Sequence, residues 1–168
     1  HHELRGYAFN EQEAYAEAIE DFSTAIDLEE PEYNYKWAYI NRAAAYRSVD
    51  ELQSALNDAT ESIRIDPGYT WAYELRGRIN SDMGLYADSI ADLTKAIDFA
   101  QEDYDYSIAY GYRGYNYHQT DEYFKAVTDL NEATELVPEY TWAYEVRGDA
   151  HSANEQYDEA IADYTAAI

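Results

Sequence analysis

Tyr69-Thr70-Trp71-Ala72-Tyr73-Glu74 returns unchanged, 71 residues later, as Tyr140-Thr141-Trp142-Ala143-Tyr144-Glu145. Two residues beyond each copy stands an Arg followed by Gly, as Arg76-Gly77 and Arg147-Gly148. Working outward, the same Arg and small residue recur as Arg5-Gly6, Arg42-Ala43 and Arg113-Gly114, so that the intervals along the chain run 37, 34, 37 and 34. Laying 5–75 over 76–146 without gaps matches 27 of 71 positions, which makes a pair of repeats the duplicated unit. Even the connectors agree, Tyr33-Asn34-Tyr35 standing against Tyr104-Asp105-Tyr106. Fixed-period self-similarity of this kind is the signature of a stacked repeat protein.

Within a repeat the apolar spacing is helical. Tyr15, Ala18, Ile19, Phe22, Ala25 and Ile26 fall three and four apart, which places them on one helix face. Leu52, Ala55, Leu56, Ala59, Ser62 and Ile63 repeat that stripe. Pro31, Pro67 and Pro138 follow such stripes, where a ring without an N–H must stop the helix. Each repeat therefore reads as helix, turn, helix, turn. One such hairpin cannot bury its stripe alone, so neighbours must stack.

Composition narrows the function. The 168 residues hold 35 Asp plus Glu against 11 Lys plus Arg, a formal charge of −24 that repels a phosphate backbone; no nucleic acid is expected as partner. With no Cys there is no disulfide, thiolate zinc site or cysteine nucleophile. No apolar run approaches the ~20 residues of a membrane helix, so no membrane insertion is expected. Aromatic residues make up 16%, 20 of them Tyr, which sets the chain apart from acidic disordered segments.

The text is similar to the tetratricopeptide repeat, a helix–turn–helix unit of about 34 residues. The likeness rests on the first-helix aromatics Tyr39, Tyr73, Tyr110 and Tyr144, on Gly6, Gly77, Gly114 and Gly148 at the helix crossing, and on Pro67 and Pro138. It implies an all-α, right-handed α-solenoid of about five helix–turn–helix repeats with alternating lengths of 37 and 34. Residues 1–168 would form a single array of repeats at about 1–35, 36–69, 70–106, 107–140 and 141–168, the first and last truncated. Departures are the recurrent Arg where the family more often has Leu, Ala43 for Gly, Pro31 one place late, and Gln101 for the closing Pro.

Five Arg and five Asp recur in step, sixteen residues apart: Arg5 with Asp21, Arg42 with Asp58, Arg76 with Asp92, Arg113 with Asp129, and Arg147 with Asp163. The pairing predicts structural ion pairs between first and second helices, within a repeat or with a neighbour. In arrays of this family the first helices line a concave groove. The resemblance implies that Tyr7, Trp37, Asn41 and Arg47 face it from the first two repeats, and Trp71 and Arg78 from the third. Tyr112, Tyr115, His118 and Trp142 would follow from the last two. Aromatics and Arg are the types enriched at binding hot spots. A plainer reading of the three Trp is that they pad the turns between repeats. Glu11, Asp82 and Asp149 occupy places where carboxylate-gripping relatives carry other groups, so a terminal carboxylate is not the expected ligand.

No enzyme, cofactor or metal is expected. His118 and His151 are 33 residues apart and lack zinc spacing, and Asp103 and Asp105 around Tyr104 do not make a calcium loop. The expected function is a protein-interaction scaffold that binds a protein or peptide in an aromatic groove with an acidic surround, which favours a basic ligand. The alternative is a self-associating structural protein, a homo-oligomer joined head to tail through the array ends or the Tyr-rich inserts. The last stripe, at Ala166-Ala167-Ile168, has no polar cap behind it, which suits either a longer array or such stacking.

Overall fold

The computed structural model describes residues 2–28, 35–99 and 104–168. Pro31, Tyr33-Asn34, Gln101 and Asp103 lie outside these. Among the described residues stand ten helices and no strand. They are α1 (His2–Glu11), α2 (Tyr15–Asp27), α3 (Lys36–Ser48), α4 (Leu52–Ile65), α5 (Thr70–Asp82), α6 (Tyr86–Asp98), α7 (Ser107–Gln119), α8 (Tyr123–Leu136), α9 (Thr141–Ala153) and α10 (Tyr157–Ala166). Packing divides the chain into two compact units, 1–83 with α1 to α5 and 84–168 with α6 to α10.

In the first unit each helix packs on the next, and α3 also touches α1 and α5. Among the described residues α2 and α4 do not meet. The odd helices thus crowd on one side while the even helices splay apart, which curves the unit toward α1, α3 and α5. In the second unit α7 touches α9 in the same manner.

Small residues permit this crowding. The buried face of α4 is Ala55, Asp58, Ala59 and Ser62, that of α2 is Ala18, Asp21, Phe22 and Ala25, and that of α8 includes Ala126, Asp129, Leu130 and Ala133. Ile40, Ala43, Ala55, Ala59, Leu75 and Ile79 form one core of the first unit, and Leu130, Val146 and Ala150 belong to that of the second.

The turn inside each repeat has a device that sequence periodicity does not reveal. Glu13, Asp50, Gly84, Asp121 and Glu155 each stand eight residues after the recurrent Arg, and all have positive φ, from 58° to 73°. The next N–H then reaches back to a carbonyl five residues earlier, Glu51 to Tyr46 at 2.9 Å and Gln156 to His151 at 2.8 Å. This closure ends the first helix and turns the chain. Only Gly adopts that conformation without steric cost.

Candidate functional site

The concave side of the first unit carries a groove of about 470 Å³. Helix α3 forms its floor with Trp37, Asn41, Ala44 and Ser48, one stripe at helical spacing. Helix α1 forms one wall with Tyr7, Asn10 and Glu11; Tyr15 of α2 and Trp71 of α5 complete it. A smaller hollow of about 200 Å³ continues past Tyr7, Trp37 and Asn41 to Glu3 and Leu4. Tyr7 and Trp37 are each 54% exposed, a large aromatic surface left open to solvent.

The Trp37 ring is set from behind. It lies 6.2 Å from Trp71 and 5.6 Å from Tyr69, and Tyr69 meets Trp71 edge-on at 6.2 Å. Lys36 lies over the Tyr69 ring at 4.8 Å and reaches Asp66 at 2.5 Å. That ammonium, helped by the Gly68 N–H, holds the Asp66 carboxyl below its ordinary range, while burial pushes the Tyr69 phenol up. The turn at Asp66-Pro67-Gly68 therefore sets Tyr69 and Trp71 behind the Trp37 ring, which is braced where it meets the groove.

Asn41, 8% exposed, spends its side chain on structure: its Nδ2 donates to the Trp37 carbonyl at 2.7 Å. The Asn41 carbonyl accepts from Asn10 Nδ2 at 3.1 Å, tying α1 to α3. That bond fixes the Asn10 amide, whose Oδ1 is buried without a hydrogen-bond partner.

The structure thus brings Tyr7, Trp37, Asn41 and Trp71 together in one groove. Arg47 does not line it; its Nε meets Asp82 at 2.6 Å. Arg78 does not line it either and lies 3.7 Å from Glu74 of its own helix. In the second unit Tyr112 and Tyr115 pack on Trp142 with ring separations of 5.1 and 5.8 Å. His118 sits against Tyr123 at 5.7 Å. Sequence reasoning missed Asn10, Tyr15, Ala44 and Ser48 at the groove. The spacing along one helix, with Ala44 seven residues after Trp37 and Ser48 seven after Asn41, was the available signal.

Four of the five Arg–Asp couples lie inside single units, and all four are bidentate. Arg5 reaches Asp21 at 2.5 and 2.5 Å, Arg42 reaches Asp58 at 2.6 and 2.9 Å, Arg113 reaches Asp129 at 2.6 and 2.8 Å, and Arg147 reaches Asp163 at 2.9 and 2.5 Å. The remaining nitrogen crosses to the preceding even helix: Arg42 to Ser23 at 2.9 Å, Arg113 to Thr94 at 3.1 Å, Arg147 to Thr134 at 2.8 Å. The aromatic one turn earlier stacks on the guanidinium, Tyr39 at 5.6 Å and Tyr144 at 5.0 Å. Arg76 belongs to the first unit and Asp92 to the second, so that couple stays an expectation.

Among the described residues no group of three or more His, Asp or Glu is placed to hold a metal ion. No helix among them is long and apolar enough to cross a membrane.

Residues 72–103 and 143–168 match the family model of the tetratricopeptide repeat. The chain is 34% identical over 82 residues to the Hsp70-Hsp90 organizing protein 3 of Arabidopsis thaliana, which covers 49% of this chain and 14% of that protein. It is 32% identical over 84 residues to the heat shock protein STI1 of Saccharomyces cerevisiae, covering 50% of this chain and 14% of that one. The chain therefore spans about a seventh of these relatives. Solved structures share the fold over nearly the whole chain. The crystal structure of MamA has a TM-score of 0.81 at 20% identity, covering 96% of this chain and 91% of that one. YrrB, described as a TPR protein with an unusual peptide-binding site, has a TM-score of 0.77 at 14% identity, covering 99% and 83%.

Proposed function

We propose that this chain, which is an all-α protein of the tetratricopeptide repeat family, is a non-enzymatic interaction scaffold that holds a peptide segment of a protein partner in the groove of its first unit. The observation that carries this reading is the open groove of about 470 Å³ with Tyr7, Trp37 and Trp71 on its surface. An exposed, braced aromatic surface gains from being covered, because burying apolar area releases about 25 cal/mol per Å². Trp and Tyr bury large area with few rotatable bonds, the composition of binding hot spots. The name of one relative, the Hsp70-Hsp90 organizing protein 3, and the peptide-binding site named for YrrB point to the same class of partner. The acidic surround raises the encounter rate of a basic partner, an effect that salt screens.

Photo-crosslinking from the groove tests this. A photoreactive phenylalanine replacing Tyr7 is expected to trap a partner in cell extract, and one replacing Phe124 in the second unit is not. Trp71→Ala is expected to abolish the trapped product. No product from position 7, or equal products from both positions, would dispose of the groove as the binding surface.

A further inference from the structure

At an offset of 71, helices α2 to α5 of the first unit correspond to α6 to α9 of the second, and the comparison isolates what keeps the groove open. Tyr15 and Trp71 of the first unit correspond to Tyr86 and Trp142 of the second. In the second unit Tyr115 fills the space between these rings, 6.4 Å from Tyr86 and 5.8 Å from Trp142, and Tyr112 joins at 5.1 Å from Trp142. The matching positions of the first unit are Ala44 and Asn41, which carry no rings. The volume that a tyrosine occupies in one unit is the volume left to solvent in the other.

The chemistry of the vacated space is specific. The residues lining the groove and its continuation include two carboxylates, Glu11 and Glu3, and no Lys or Arg. Tyr7 stands one helical turn from each carboxylate on α1, and Trp37 lines both hollows; the π clouds of such rings attract a cation. A planar guanidinium stacks on indole and phenol and offers five N–H donors with no acceptor, whereas an ammonium is more strongly hydrated and does not stack. We propose that the first unit's groove seats an arginine side chain of the bound peptide against Tyr7 and Trp37, and that Ala44 leaves open the space that Tyr115 fills at the matching position of the second unit. This rests on the scaffold reading above and adds the residue class that the groove selects.

The three Trp give a direct readout, since two stand at the groove and one in the closed unit. The full chain is titrated with acetyl-Gly-Arg-Gly-amide while the indole N–H signals are followed by NMR. The Trp37 and Trp71 signals are expected to move and that of Trp142 to stay. The citrulline counterpart, which keeps the shape without the charge, is expected to bind about tenfold more weakly. Ala44→Tyr is expected to abolish the response. Equal binding of the citrulline peptide, or a Trp142 shift matching that of Trp37 in the unaltered chain, overturns the seat. Should Ala44→Tyr not fold, Trp37→Leu takes its place at an exposed position, and an undiminished Trp71 shift there also overturns it. The two readings fail separately. Crosslinking from position 7 without an arginine response leaves the scaffold and removes the seat, whereas the converse leaves the seat and removes the scaffold.

Discussion

Arg42 meets Asp58 edge to edge, Nε to Oδ2 at 2.6 Å and Nη2 to Oδ1 at 2.9 Å, while its Nη1 crosses to Ser23 Oγ at 2.9 Å. One guanidinium therefore touches α2, α3 and α4, joining two repeats at a point where a Leu could only fill space. The Arg42 side chain is 16% exposed and that of Asp58 8%, so the pair is largely withdrawn from water. Desolvation, the largest single influence, disfavours the charged Arg42, and the Asp58 hydrogen bonds and charge together outweigh it, raising its pKa. Such a pair is weak evidence of net stability, yet expensive to break on one side.

Arg42→Leu is therefore expected to destabilise the chain by about 3 kcal/mol, since it strands a buried carboxylate. Arg42→Leu with Asp58→Leu should recover most of that loss. Asp21 is as buried as Asp58, its side chain 4% exposed, but the Arg5 that covers it is 62% exposed and the His2 ring still reaches it at 3.2 Å, so water replaces the lost guanidinium and Arg5→Leu should have a smaller effect. Urea unfolding of the three variants decides. Equal losses at Arg5 and Arg42 would show that burial is not the determinant.

At the helix crossing, Gly114 and Leu130 are matched in size. A Cβ at Gly114 would sit 2.7 Å from Leu130 Cγ and 3.1 Å from the Ala126 carbonyl oxygen. Sixteen residues separate the two, and the same interval sets Gly6 against Phe22 and Gly148 against Tyr164. Ala43 is the departure, and the residue sixteen on is Ala59, buried in the same core. Gly114→Ala alone should cost about 2 kcal/mol by overpacking. Combined with Leu130→Ala, it should cost clearly less than the sum of the two single changes. Strict additivity in that cycle would refute the steric match.

Fold class was legible because it rests on periodicity: the repeat of Arg, aromatic and small residues survives any ambiguity about single positions. The groove was legible only in part. Tyr7, Trp37 and Trp71 announced themselves by residue type, whereas Ala44 matters through what is absent beside it, an unfilled volume. Arg47 and Arg78 were read as groove cations. Their ion pairs with Asp82 and Glu74 depend on side-chain reach, which spacing alone does not fix. Ala43 reads as a blemish in the text until the partner sixteen residues on is read with it.

The left-handed turn position yields a stabilising prediction. Glu155 has φ 59° and the equivalent Gly84 has φ 73°. Glu155→Gly relieves the Cβ clash and is expected to gain about 0.5 kcal/mol, the relief being partly offset by the greater freedom of Gly in the unfolded chain. Gly84→Ala should lose about 1 kcal/mol for the opposite reason. Thermal melts of the two variants check the sign, and a destabilised Glu155→Gly would mean that the Glu side chain contributes more than the strain removes.

Acid should weaken the first repeat through Asp21. The hydrogen bonds from Arg5, aided by the His2 ring at 3.2 Å, lower its carboxyl from the ordinary 3.8 to about 2. A folded value below the unfolded one means that the folded state holds the proton less tightly. The contribution is therefore complete above the unfolded value, fades as pH falls from 3.8 toward 2, and is absent below. Asp21→Asn removes this dependence. The two chains should differ in urea midpoint at neutral pH and converge near pH 2. A gap that persists unchanged to that pH would place the stabilisation in shape rather than in the charge of Asp21, and a carboxyl carbon signal titrating near 3.8 would say the same without denaturant.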